Sequence, residues 1–121
     1  MSVAVHELSI ATELVEVAEA EARRAGARRV VAVTLRLGPL AGVVADALRF
    51  CYDIATEATL LEGSRLIIED VPVVVHCDPC GREVEVANVL SFCCPLCGTP
   101  SVTIRRGREL ELESIEIEAY P

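Results

Sequence analysis

Two C-x-x-C pairs, Cys77-Asp78-Pro79-Cys80 and Cys94-Pro95-Leu96-Cys97, constrain this chain more than any other feature; thirteen residues separate them. Each pair can close a tight turn that points two thiolates at one point. Pro79 and Gly81 in the first turn, and Pro95 and Gly98 in the second, have the backbone preferences such turns need. Two such turns brought together make a four-sulfur cage, the geometry of a structural zinc site held by Cys77, Cys80, Cys94 and Cys97. Four thiolates close the coordination shell and leave no open position, so the cage predicts a structural role rather than catalysis. Iron in the same cage would make a rubredoxin-like electron carrier, and its geometry is close to zinc's, so the spacing leaves both metals open. Cys93 is one residue too far from Cys97 to make a C-x-x-C pair and reads as a bystander. Cys51 falls on the apolar side of a predicted helix and reads as a packed core thiol.

The cage matters because the core beside it will be small. Of 121 residues, 52% are hydrophobic but only 3% aromatic, and Trp is absent. The core must be built from Val, Leu, Ile and Ala, and metal closure would help to stabilise it. Structural zinc in finger peptides contributes roughly 10–16 kcal/mol of apparent binding energy. The net charge of −8 argues against a nucleic-acid partner, which would reward a basic surface. It suits cations or a basic protein surface. The clusters Arg23-Arg24 with Arg28-Arg29, and Arg105-Arg106 with Arg108, read as solvated faces or turns on an acidic chain. The N-terminus lacks a basic region followed by an apolar run, and the longest apolar stretches are strand-length. Neither an export signal nor a membrane span is expected. Six cysteines then imply a reducing, cytoplasmic setting, in which paired C-x-x-C ligates metal before it forms disulfides.

Periodicity predicts the elements. Leu8 to Ala25 reads as an amphipathic helix with Leu8, Ala11, Val15, Ala18 and Ala22 on one stripe, widened by Leu14 and Val17. Arg29 to Leu37 is a β-branched strand ended by Gly38-Pro39. Val43 to Glu57 is a second helix, with Val44, Ala47, Leu48, Cys51, Ile54 and Ala55 on one side. Leu66 to Val75 is a second strand in which Pro72 marks an edge or a bulge. Glu109 to Glu118 alternates as a third strand, with a phase slip between Leu112 and Ile115 that suggests a β-bulge near Glu113-Ser114. The fold class is α+β: two helices packed on a roughly three-stranded, mainly antiparallel sheet, with an inserted four-cysteine zinc-ribbon or rubredoxin-like module. The domains follow as 1–75 plus 101–121 for the α/β part and 76–100 for the metal module.

No Ser/His/Asp arrangement, P-loop or G-x-G-x-x-G is present, and nothing builds an enzyme active site. Gly38-Pro39-Leu40-Ala41-Gly42 lacks the phosphate-binding pattern. His76 flanks Cys77. His6 and Glu7 stand together near the N-terminus, without the second His that a zincin helix requires.

These residues resemble the HypA/HybF family of nickel-insertion accessory proteins. His6-Glu7-Leu8-Ser9-Ile10 is similar to the family's N-terminal signature, in which His-Glu-Leu-Ser follows the initiator Met. The likeness continues through Gly38-Pro39-Leu40-Ala41-Gly42-Val43, the helix around Ala47-Leu48-Arg49-Phe50, Gly63-Ser64, the two C-x-x-C pairs and the final acidic strand. It covers nearly the whole chain. The resemblance implies a metallochaperone for [NiFe]-hydrogenase maturation rather than an enzyme. It implies nickel at His6 and Glu7, structural zinc at the four cysteines, and two partners, a HypB-type GTPase and the hydrogenase large-subunit precursor. The chain is expected as a monomer or weak homodimer. Nickel(II) favours imidazole and other nitrogen donors, and a mobile N-terminus can pass on an ion by ligand exchange. One departure stands out: Met1-Ser2-Val3-Ala4-Val5 precedes His6, which puts the terminal amine out of reach of the family's chelate. Two explanations compete: the extension is real, with nickel bound through internal amides and His6 more weakly or differently, or Val5 marks a GTG start codon read as Met. The second is favoured, because Val is what such a start would leave before His-Glu. The reading set against the chaperone is a zinc-ribbon interaction module, which would hold zinc only.

Overall fold

The computed structural model describes residues 3–86, 92–101 and 103–121, with side chains from residue 6 onward. Part of the N-terminal extension (Met1, Ser2) and part of the expected cysteine module (87–91) lie outside the described residues. In chain order the elements are α1 (Val3–Arg24), β1 (Ala27–Leu37), a 3-10 turn (Pro39–Ala41), α2 (Ala45–Ala55), β2 (Arg65–Asp70), β3 (Val74–Cys77), β4 (Arg82–Glu85), β5 (Ile104–Arg106) and β6 (Leu110–Ala119). The strands form two three-stranded sheets, ordered β2-β1-β6 and β4-β3-β5. The chain divides into two compact units, one of Met1–Leu35, Val43–Ile68 and Leu112–Pro121, the other of Arg36–Gly42 and Glu69–Glu111. Among the described residues no helix is long and apolar enough to cross a membrane.

The first unit is the two-helix α+β layer. α1 begins earlier than periodicity predicts and ends with Arg23 and Arg24 in its last turn, where positive charge suits the helix dipole. Its buried stripe is Ala11, Leu14, Val15, Ala18 and Ala22, with Glu7 four residues before Ala11 on the same line. Leu8 and Val17, expected on that stripe, are 39% and 48% exposed. The reason is angular: residues four apart stack, and Leu8 is one residue off the line that Ala11 and Ala18 define. On α2 the buried residues are Leu48, Cys51 and Tyr52, while Val44 and Ile54 are half exposed, so the apolar face is turned from the one expected. Tyr52 supplies what the aromatic-poor core lacks in bulk, and its hydroxyl lies 2.7 Å from Ser64 Oγ. β1 is central and is buried on both faces along most of its length, which explains its β-branched run. Arg29 pairs with Glu118 and Arg36 with Glu111, so β6 runs antiparallel to β1. Leu112, Ile115 and Ile117 all pack on the core, so the phase slip in β6 is real.

The predicted strand over Leu66 to Val75 is two strands in different sheets, β2 and β3. Pro72 sits in the break between them. It has no N–H to give a ladder, and the chain uses it to leave one sheet and enter the other. The second unit is wider than residues 76–100. It includes 36–42, which are tied in by Val71 N–H donating to Leu37 O (2.9 Å), Gly38 N–H to Glu109 O (2.8 Å) and Leu40 N–H to Gly107 O (2.7 Å). Within it β3 pairs antiparallel with β4 (Val75↔Val84, Cys77↔Arg82) and with β5 (Val75↔Ile104). Among the described residues its buried core is Val73, Val75, Cys77, Val84, Val86 and Cys94, with Leu40, Cys80, Phe92 and Ile104 packed against it.

Candidate metal centres

The first C-x-x-C is the turn of the β3–β4 hairpin. Cys77 is the last residue of β3, Asp78 and Pro79 turn the chain, and Gly81 (φ 63°) donates its N–H to Asp78 O at 3.1 Å. The second pair repeats the device: Gly98 (φ 76°) donates to Cys94 O at 2.8 Å, and Cys94 N–H donates to Thr99 O at 2.9 Å. In both turns the residue after the second cysteine must take a left-handed conformation, which glycine adopts without steric cost. The result brings all four sulfurs within 4.8 Å of one another. Cys77 Sγ lies 3.5 Å from Cys97 Sγ, and Cys80 Sγ lies 4.0 Å from Cys94 Sγ. A tetrahedral ZnS4 unit with Zn–S near 2.3 Å has sulfur–sulfur edges of about 3.8 Å, so the four residues fit the ion. Leu96 N–H points at Cys94 Sγ (3.4 Å), a donor suited to a thiolate.

Electrostatics within the cluster say the same thing. The Thr99 side chain, its Oγ1 3.2 Å from Cys97 Sγ, leads the contacts that pull the Cys97 thiol down to about 6. Hydrogen bonds with the Cys97 and Cys77 sulfurs, with burial, push Cys80 up to about 12. The Cys80 backbone pulls Cys77 down, but burial and the Cys97 and Cys94 sulfurs outweigh it, and Cys77 is raised. Cys97 gives up its proton readily, while Cys77 and Cys80 hold theirs through burial and hydrogen bonds with neighbouring sulfurs; four thiolates at these distances would repel one another. A divalent cation removes that repulsion. Cys77 and Cys94 are buried, Cys80 is half-buried and Cys97 is exposed. Cys93 lies outside the cage and its backbone bridges Pro100. His76 Nε2 pairs with Asp78 Oδ1 at 3.4 Å and belongs to the hairpin. Cys51 is packed in the first unit's core, as expected.

The structure separates the other two expected ligands by face. His6 lies in the first turns of α1 and is exposed. Glu7 is fully buried. Its Oε2 accepts the Val44 N–H at 2.7 Å, and its Oε1 is buried without a hydrogen-bond partner among the described residues. Val44 is the N-cap of α2 and has no side-chain cap of its own. Sequence reasoning placed Glu7 beside His6 at an open terminus. The signal that could have found its burial is its spacing, four residues before Ala11 and eight before Val15 on the apolar line of α1.

Comparison with known proteins gives one consistent family. The model described as hydrogenase/urease nickel incorporation metallochaperone HypA matches residues 5–117. A hydrogenase maturation factor HypA from Chloroflexus aurantiacus is 55% identical over 111 residues, covering 92% of this chain and 97% of its own. Its counterpart from Geobacter metallireducens is 45% identical over 113 residues, covering 93% and 99%. Among solved structures, the solution structure of the nickel metallochaperone HypA from Helicobacter pylori aligns with a TM-score of 0.65 at 23% identity, over 94% of this chain and 98% of that one. A second HypA solution structure aligns at 0.71 with 22% identity, over 96% and 98%. At these identities the two structures establish the shared fold.

Proposed function

Since the chain belongs to the HypA family of nickel-incorporation metallochaperones, maturation factors rather than enzymes, we propose that it carries Ni(II) at the N-terminal His6-Glu7 pair, with the His6 imidazole as a ligand, and hands it to a [NiFe]-hydrogenase large subunit. The observation that carries this reading is where the match lies: it runs from residue 5 to residue 117 and opens next to an exposed His6. An exposed imidazole can take nickel from solution and release it to another protein, which a closed cage of four sulfurs cannot do. Zn(II) held by Cys77, Cys80, Cys94 and Cys97 supplies structure. It fixes the β3–β4 turn against the second knuckle while nickel comes and goes. The receiving partners in this reading are a HypB-type GTPase, which drives the hand-over, and the large-subunit precursor. The family's description also covers urease, so a second nickel enzyme belongs within the same reading. A cytoplasmic setting suits a cluster of reduced thiols.

α1 begins at Val3, so His6 lies in the first turns of a helix rather than at a free amine. A form that begins with Met at position 5 offers a terminal amine directly before His6 and should bind nickel more tightly than the full chain. Calorimetric nickel titration of zinc-loaded protein, in both forms and beside His6→Ala, tests the reading. A one-site isotherm abolished by His6→Ala, with zinc retained, is the expected result. Equal nickel binding in wild type and variant, or none in either, would leave a zinc-ribbon interaction module as the description.

A further inference from the structure

Glu7 is the one fully buried carboxylate among the described residues, and it is not buried for want of an exposed alternative. His6 beside it points to solvent, and α1 turns successive side chains about 100° apart. Glu7 therefore faces the packed side of the helix. There its Oε2 takes the Val44 N–H at 2.7 Å. Val44 is extended (φ −87°, ψ 113°), opens α2, and carries a side chain that cannot cap. In a capping box a Glu three residues into the helix would bond that N–H, but here that position is Ala47. Glu7 supplies the missing acceptor from a different helix and brings negative charge to the positive end of the α2 dipole. Oε1, buried without a partner among the described residues, is a standing cost. A carboxylate held there is held for the bond its other oxygen makes.

We infer that Glu7 is a positioning residue for nickel: its side chain stays on α2 when the ion binds, and this cross-helix cap fixes the α1 head that presents the His6 imidazole. The inference rests on the reading that nickel binds at His6. It differs from a site in which both side chains are ligands, because a Glu7 carboxylate drawn to the ion would have to abandon the part-buried Val44 N–H and leave the α2 N-terminus without its cap. Removing such an orienting group weakens metal binding by about 10–100-fold in other sites.

The test uses the full, zinc-loaded chain. Residue-resolved amide hydrogen exchange at Val44 is followed in wild type before and after nickel. The expected result is protection that persists in the nickel form. Loss of protection on adding nickel means the carboxylate has moved, and overturns the proposal. Nickel titrations of Glu7→Gln and Glu7→Ala run beside it. The amide oxygen of Gln can still accept from Val44, so Glu7→Gln should bind nickel close to wild type, while Glu7→Ala should lose about tenfold or more. A folded Glu7→Gln that loses nickel as completely as His6→Ala would make the carboxylate a ligand and sink the proposal. Failure of the underlying nickel reading is recognised separately: His6→Ala then leaves nickel binding unchanged while Val44 is still protected in the nickel-free chain, and the positioning role falls with it.

Discussion

At the scale of single residues, position in the fold decides what a charged group does. Glu7 and Glu118 are both carboxylates near the end of an element, yet one is a buried cap and the other a solvent-facing anchor for the guanidinium groups of Arg29 (2.8 Å) and Arg28 (3.6 Å). The Arg29 hydrogen bond and charge, with help from Arg28, hold the Glu118 carboxyl below its ordinary value of 4.5. A carboxylate depressed in the folded state adds stability that is fully present above its unfolded value. That stability disappears as pH falls through the lower folded value. Glu118→Gln should therefore lower the Tm slightly at pH 7, and the gap between variant and wild type should close below about pH 4. Paired thermal melts at pH 7 and pH 3.5 check this, and a gap that is constant with pH would rule the linkage out. Much of the metal cage was legible at this scale. The spacing and turn residues of the two C-x-x-C pairs named the four cysteines that the structure brings together. The burial of Glu7 was not read, because His6-Glu7 looks polar and terminal until Glu7 is placed on the line of Ala11, Val15 and Ala18.

At the scale of elements, the helices and the long strands follow from pattern, and the short strands do not. β1, β6 and α2 lie where periodicity puts them, within a few residues. β4 and β5 have four and three residues and no clear alternation, so only their pairing with β3 makes them strands. The loop Gly38-Pro39-Leu40-Ala41-Gly42 is explained by the chain it touches. A Cβ on Gly38 would lie 2.1 Å from Gly107 O and 2.9 Å from Arg108 N, against backbone that cannot swing aside. Gly38→Ala should therefore break the paired bonds of Gly38 with Glu109 and Leu40 with Gly107. Its cost should reach at least the usual overpacking range of about 1–3 kcal/mol. Urea denaturation measures it; a variant as stable as wild type would mean that the 36–42 segment does not lie against residues 107–109.

At the scale of the whole molecule, the two units are stabilised by different means. The first buries an aliphatic core with Tyr52, Leu35, Leu48 and Leu61 fully covered. Among the described residues the second has a core of four valines and two cysteines, with Leu40, Cys80, Phe92 and Ile104 packed against it, and a metal in the cage would add to what so small a core supplies. Metal binding of this kind is worth about 10–16 kcal/mol in small finger peptides, more than such a core supplies. Treatment with a strong zinc chelator under reducing conditions should open the second unit while the helical circular dichroism of α1 and α2 persists. Tryptic cleavage at Arg82, Arg105 and Arg106 should appear only after chelation. Unchanged cleavage would show that the valine core suffices without metal. By itself, the sequence determined the four-cysteine cage, the two amphipathic helices, the long strands and the family likeness, because these depend on spacing and periodicity within short stretches of chain. Tertiary structure alone decided that Pro72 splits one apparent strand between two sheets, that α2 turns Tyr52 rather than Ile54 inward, and that Glu7 caps a helix thirty-seven residues away. Each of those outcomes depends on which distant backbone groups come to lie opposite, and hydrogen-bond partners far apart in the chain leave no periodic trace in it.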